Sequence, residues 1–157
     1  MLIASSVVHD FEKADGQVTL DENSRHRRRL KLVTDQIGAG SSIEFLLNLP
    51  KARLLRHGDG LVLDDGRIIE VLAAPEPLLE VRGQDERHLI TLAWQIGNRH
   101  LAAQILEDRI LIRQDNVIAA MLEGLGATIK EVVAPFDPEG GAYDGGHGSH
   151  GHAHSHD

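Results

Sequence analysis

Residues 85–100 read DERHLITLAWQIGNRH, and the spacing of apolar residues in this stretch decides how the second half of the chain folds. Its apolar residues fall at i, i+3, i+4 and i+7, which is one face of an amphipathic α-helix. These residues are Leu89, Leu92, Ala93 and Ile96. Asp85 and Glu86 suit the first turn of a helix, and Gly97 is placed to end it. The sequence therefore predicts a half-buried helix here.

The elements expected around this helix complete the order strand, helix, strand, strand, helix, strand. A strand is expected from Leu78, before the helix, and the later strands at residues 101–106, 110–113 and 128–133. Asp115 is expected to cap a second helix, which Gly124 and Gly126 end. This order predicts a ferredoxin-like βαββαβ domain, with both helices on one face of a four-stranded sheet.

The first part of the chain alternates short apolar runs with turn signals and has no helical period. Strands are predicted at residues 18–20, 30–33, 43–49, 61–63 and 68–72. The turn Asp64-Asp65-Gly66 between the last two is typical of a hairpin. We therefore predict a small all-β domain at the N-terminus.

Residues 73–81, AAPEPLLEV, are interpreted as a linker that feeds a strand, because Pro75 and Pro77 hold the backbone extended. The fold class is α+β. The predicted domains are residues 1–74 (β-rich), residues 75–134 (ferredoxin-like) and residues 135–157 (a disordered, His-rich tail).

The last eleven residues contain half of the ten histidines of the chain. They are His147, His150, His152, His154 and His156. The segment lacks an apolar run and is rich in glycine, so we expect a flexible tail. Imidazoles spaced one or two residues apart on such a chain can converge on a borderline divalent ion such as nickel, zinc or copper. The alternative is an added purification tag, but the interleaved Gly, Ser and Ala residues favour a native metal-binding tail.

Composition restricts the functions that are open to the chain. No cysteine is present, so any metal must be held by nitrogen and oxygen ligands. The 16 basic and 24 acidic residues give a formal net charge of -8, which argues against nucleic-acid binding and favours cations as ligands. The sequence shows no signal peptide and no membrane span, so we expect a cytoplasmic protein.

The only basic cluster is SRHRRRLKL, residues 24–32. Its five cations could contact phosphates; they are Arg25, Arg27, Arg28, Arg29 and Lys31. No aromatic platform accompanies them and the cluster enters a period-2 strand. The favoured interpretation is a solvated strand face that could meet an acidic partner surface.

Outside the tail, no two histidines have the spacing of a metal site within one element, and no HExxH, phosphate-binding loop or GxSxG turn indicates an enzyme. His9, His26 and His57 are expected on the surface, and His88 on the solvent side of its helix. His100 stands at the break between the first helix and the next strand. It could cap the helix, or a two-fold dimer could pair it with its own copy and supply two metal ligands.

Several short motifs resemble those of the urease accessory metallochaperones, the UreE family. They are GNRHL (97–101), MLEGLGA (121–127), PFDPEGGAY (135–143), LDDGRIIEVLAAPEPLLEV (63–81) and the terminal histidine tract. Their order and spacing cover nearly the whole chain.

This resemblance implies a cytoplasmic homodimer that binds Ni(II) and helps to deliver it to urease apoprotein, together with the urease accessory GTPase. It implies an N-terminal domain similar to a peptide-binding fold and a ferredoxin-like domain that dimerises. The central metal-binding histidine of the family corresponds to His100. Zn(II) or Cu(II) would compete for the same nitrogen ligands.

The chain departs from the family pattern in one place. Some members have further histidines where the hairpin ends and the second helix begins, but this chain has Gln114, Asp115 and Asn116 there. The other ligands are therefore expected from the tail. Imidazole must be neutral to bind metal, so affinity should fall between about pH 7 and 5.5.

Two alternatives to nickel delivery remain open at the level of sequence. The chain could be a nickel or zinc buffer that stores metal without a partner. It could also be a peptide-binding co-chaperone, in which the β domain acts and the tail is incidental.

Overall fold

The computed structural model describes residues 1–36 and 40–140, which form two β-sheets. The predicted tail histidines lie outside the described residues. The first domain consists of β1 (Leu2–Val8), β2 (Gly16–Leu20), α1 (Glu22–Arg25), β3 (Arg29–Val33), β4 (Glu44–Asn48), β5 (Gly60–Leu63) and β6 (Ile68–Ala73). The second domain consists of β7 (Pro75–Arg82), α2 (Glu86–Asn98), β8 (Ala103–Ile105), β9 (Ile110–Arg113), α3 (Asn116–Gly124) and β10 (Thr128–Pro135).

The first domain is a six-stranded sheet with the strand order β2-β6-β5-β1-β4-β3. Its core consists of apolar residues from every strand, including Phe45, Leu47, Leu61 and Ile69, which are fully buried. All five strands predicted for this region are present. The sequence reading missed β1, which pairs in parallel with β4 and antiparallel with β5, and the short helix α1.

The second domain is a four-stranded sheet with the order β10-β7-β9-β8, in which all three neighbouring pairs are antiparallel. One face carries α2 and α3, whose Leu92, Ile96 and Leu122 pack against Val81 and Ile112. The prediction of an α+β domain with both helices on one face is confirmed.

The starts of both helices agree with the sequence. Asp85 accepts a hydrogen bond from the His88 N–H at 2.7 Å, and Asp115 accepts from the N–H groups of Val117 and Ile118 at 2.9 and 3.0 Å. Each carboxylate satisfies donors that the first turn of a helix leaves unpaired.

Two sequence interpretations were wrong in detail. Residues 73–81 are not a linker, because β7 already begins at Pro75 and pairs with β10 from the Pro75–Pro135 position onward. Both prolines lie at positions that an extended strand accepts. Gly97 does not end α2, which continues to Asn98.

The other face of the second sheet is covered by the chain that follows β10. Phe136 is fully buried there against Leu78 and Leu111. The next residue, Asp137, contacts Arg25 of the first domain and Gln104 of the second. Leu78 and Leu79 point to opposite faces of the second sheet. Because both faces of this sheet are covered, β7 carries adjacent apolar residues.

None of the helices in the described residues has the length and hydropathy that crossing a membrane requires.

Candidate metal site

His100 has the one left-handed backbone among the non-glycine residues that the structure describes, with φ of 56°. It follows Arg99, the C-cap of α2, and its N–H donates to the Gly97 carbonyl at 3.1 Å. That bond is characteristic of a left-handed helix C-terminus, where it satisfies a carbonyl that the helix leaves unpaired.

The end of α3 shows what residue this position normally favours. Gly126 occupies the equivalent place with φ of 89°, and its N–H donates to the Glu123 carbonyl at 2.9 Å. Glycine enters the left-handed region without the steric cost that a Cβ brings. At the end of α2 a histidine occupies this left-handed position instead.

The backbone of His100 therefore caps the helix, while its imidazole remains available. The side chain is exposed and makes no hydrogen bond to any described residue. The two sequence readings of His100, helix cap and metal ligand, thus concern different atoms of the same residue.

The imidazole lines an open pocket of about 220 Å³ at the end of the second sheet. The pocket is formed by His100, Leu101, Ala102, Ile112, Arg113, Gln114, Asp115 and Ile118. The Asp115 carboxylate is engaged as a helix cap, and the Gln114 amide nitrogen reaches the Leu78 carbonyl at 3.5 Å. Within residues 1–36 and 40–140, no three His, Asp or Glu side chains are grouped so that they could hold a metal ion.

Arg113 lines this pocket, and acidic residues offset its charge. Its guanidinium donates to Glu76 at 3.0 Å and also to Glu22. The hydrogen bond to Glu76 is the main cause that raises the pKa of Arg113, and Glu22 contributes to the same shift. These carboxylates reduce the repulsion that an arginine would exert on a metal cation.

Exposed apolar residues lie on the helices beside the site. Ile90 and Trp94 are 64% and 66% exposed and stand one turn apart on α2, and Val117 at the start of α3 is 77% exposed. The stripe on α2 leads toward the helix end that carries His100. Ile90 and Trp94, on one side of α2, are therefore a candidate interaction surface.

The tail begins close to His100. The Glu139 N–H donates to the Ala103 carbonyl at 2.7 Å, and its carboxylate accepts from the Ile105 N–H at 3.2 Å, so residue 139 is fixed at the outer edge of β8. Ala103 is three residues from His100, so their Cα atoms are at most about 11 Å apart. Residues 140–147 can span up to about 28 Å, so the first tail histidine can reach His100.

The other histidines within the described residues are not brought together with His100. His9, His26 and His57 are exposed, as expected, although His9 Nδ1 bonds Asp59 at 2.8 Å. The expectation for His88 was wrong: it is half-buried, and its Nε2 donates to the Leu125 carbonyl at 2.8 Å while Nδ1 accepts from the Gln84 N–H at 2.9 Å. Both ring nitrogens of His88 are therefore occupied.

The residues of the basic cluster also differ in their solvent exposure. Arg27, Arg28, Arg29 and Lys31 are exposed, in agreement with a solvated face, but Arg25 is 1% exposed. Its guanidinium turns inward to the chain that follows β10, which the sequence reading did not anticipate.

Comparison with known proteins covers both domains. Residues 5–74 match the family described as UreE urease accessory protein, N-terminal domain, and residues 76–157 match the corresponding C-terminal domain. The urease accessory protein UreE of Chelativorans sp. (strain BNC1) is 60% identical over 99% of both chains. UreE of Ruegeria pomeroyi is 52% identical over 92% of this chain and 91% of its own, and UreE of Rhodopseudomonas palustris (strain HaA2) is 53% identical over 94% and 67%.

If the imidazole of His100 has no structural role, the substitution His100→Gly should stabilise the fold. We expect the free energy of unfolding to rise by about 0.5–1 kcal/mol, because glycine removes the left-handed strain and keeps the capping N–H. Urea denaturation measures this change. The matched variant Gly126→Ala places a Cβ in the equivalent position of α3, 2.9 Å from Gln84 Nε2. This variant should lower the free energy of unfolding. A loss of 1 kcal/mol or more in His100→Gly would show that the imidazole supports the fold.

Proposed function

The chain belongs to the UreE family of urease accessory proteins, and from this membership we propose that it captures Ni(II) and helps to deliver it to urease apoprotein in the cytoplasm. As a urease accessory protein it takes part in the maturation of another enzyme and is not itself an enzyme. The observation that carries the nickel proposal is His100, whose backbone is used by the fold while its imidazole is exposed beside a pocket.

In this proposal the second domain is the ferredoxin-like unit, residues 75–134, that binds metal and dimerises. The strand order β10-β7-β9-β8 and the two helices on one face support that assignment. Residues 1–74 form the β-rich domain. Of the predicted tail, residues 135–139 are held against the sheets and are not part of a flexible tail, so the histidine-bearing residues that follow them supply the metal ligands.

A homodimer supplies the second ligand. One imidazole binds a divalent ion poorly, but a two-fold axis near His100 would bring two copies of it face to face. The exposed residues Ile90 and Trp94 support such an interface, because a second copy would remove their apolar surface from water.

The tail completes the coordination. His147, His150, His152, His154 and His156 are the proposed additional ligands. The anchored position of Glu139 supports this role, because it starts the tail within reach of His100. Imidazole nitrogen also binds Zn(II) and Cu(II), so these ions are expected competitors.

Nickel binding tests the ligand set directly. We expect the full-length protein to bind nickel at one site per dimer that depends on His100, with further ions on the tails. The variant His100→Asn keeps a residue that tolerates the left-handed backbone and should weaken the shared site at least tenfold, since it removes two ligands at once. Equilibrium dialysis with metal analysis measures both quantities.

Two further variants of the full chain complete this test. Replacing the five tail histidines by serine should reduce the number of ions bound, whereas His26→Ala, an exposed histidine of the first domain, should change nothing. Unchanged binding in both His100→Asn and the tail variant would refute the proposed ligands.

The dimer can be tested through Trp94. In Trp94→Glu a charge would be placed on the proposed apolar interface, and burying it without a partner is costly. We expect this variant to sediment as a monomer and to lose the shared nickel site although His100 is intact. The control Val133→Glu changes a residue that is 74% exposed on β10 and should remain a dimer. A dimeric Trp94→Glu would place the interface elsewhere.

Transfer of nickel to urease apoprotein distinguishes delivery from storage. Protein loaded with nickel should activate urease apoprotein in the presence of the urease accessory GTPase and a chelator that removes free nickel. The doubly altered chain, with His100→Asn and serine at the five tail positions, should activate poorly. Nickel that stays bound would favour a buffer. Normal activation by the altered chain would favour the peptide-binding co-chaperone.

A further inference from the structure

The tail does not begin at the sheet edge where the last strand ends. β10 and β8 are the two opposite edges of the second sheet, and β10 ends at Pro135. Four residues later, Glu139 is bonded to β8. Residues 136–139, here the crossing segment, therefore pass over the whole sheet, a distance of three strand spacings or about 14 Å.

The crossing segment is held from both sides. On the second sheet, Phe136 is fully buried and the Asp137 N–H donates to the Gln104 side chain at 3.0 Å. From the first domain, Arg25 donates to the Phe136 carbonyl at 2.9 Å and to the Asp137 carboxylate at 3.4 Å. Arg56 Nε lies 3.0 Å from the same carboxylate.

Arg25 is an unusual residue to find in this place. It is 1% exposed, and its Nε has no hydrogen-bond partner among the described residues. A guanidinium is costly to bury unless its hydrogen bonds and charge are matched. Apart from a contact of 3.5 Å with the Leu55 carbonyl, all of its bonds go to the crossing segment. The buried charge therefore serves mainly to hold that segment.

We propose that Arg25 and Arg56, acting through Asp137, are positioning residues for metal capture: they hold the crossing segment so that the His-rich tail starts at the β8 edge beside His100. This inference rests on the proposed function, because it assumes that tail histidines join His100 in binding nickel. It gives the first domain a part in metal binding without any ligand of its own.

The expected loss of nickel affinity follows from the number of residues between the anchored position and the first tail histidine. From Glu139 the first tail histidine is eight residues away, whereas a released segment would start at Pro135, twelve residues away and about 14 Å further from the site. A flexible chain of eight to twelve residues has a root-mean-square length of about 15–20 Å, so this change is a large part of its reach. The local concentration of tail imidazole at His100 should fall about three- to tenfold.

The test uses the full-length protein with Arg56→Gln and with Asp137→Asn, each with the native tail and with its five histidines changed to serine. Arg56 and Asp137 are 32% and 16% exposed and should tolerate substitution better than Arg25. Nickel affinity of the shared site should weaken with the native tail, by at most roughly the three- to tenfold of a fully released segment, and stay unchanged in the serine background. Arg28→Gln is the matched control, because Arg28 bonds only the Leu49 carbonyl within the first domain.

Equal weakening in both backgrounds would mean that the two residues act on the fold and not through the tail, and would overturn the inference. So would unchanged affinity in both. Failure of the proposed function is a different result, since the unaltered chain would then not bind nickel at His100 at all.

A second measurement needs no nickel. The chain has no cysteine, so Arg99→Cys and Gly140→Cys can be spin-labelled specifically in one protein. The distance between the labels should be short and narrowly distributed, and should lengthen and broaden when Arg56→Gln and Asp137→Asn are combined. An unchanged distance distribution would show that these residues do not place the start of the tail.

Discussion

The contact between the Arg25 guanidinium and the chain after β10 joins the two halves of the molecule. It connects α1 of the first domain to residues that cover the free face of the second sheet, and it buries a charge in doing so. Glu22, on the same short helix, reaches Arg113 of β9. The helix α1, whose N-cap Asp21 accepts from the Ser24 N–H at 2.8 Å, therefore supplies contacts from the first domain to the second.

At His100 the main chain serves the fold while the side chain stays exposed. Its N–H completes the end of α2, so the main chain at this point is determined by the helix. The left-handed conformation then directs the chain into β8 and leaves the imidazole exposed beside Arg113 and Gln114. A glycine would perform the first task better, as Gly126 does in α3, so the side chain at position 100 calls for a separate explanation.

Regular patterns in the sequence predicted most of the fold, and contacts without a pattern were missed. The apolar spacing, the acidic residues Asp85 and Glu86 and the cap Asp115 predicted both helices of the second domain. β1 was missed because Ala4 is its one fully buried residue and two serines interrupt its apolar character. His100 was recognisable as a candidate site from its place at the helix end. Its left-handed backbone and the partner of Arg25, 111 residues away, depend on tertiary contacts that no local pattern records.

The proposed division of ligands between a folded domain and a glycine-rich tail suits an ion that must be passed on. In the proposed site the frame contributes one imidazole from each protomer, and the neighbouring Asp115 and Gln114 are engaged elsewhere. The remaining ligands must be ordered from a glycine-rich chain, and the entropy lost in ordering them reduces the affinity below that of a preformed cage. Each such imidazole can also leave separately. Since the chain has no thiolate to hold the metal more firmly, a partner can replace the ligands one at a time.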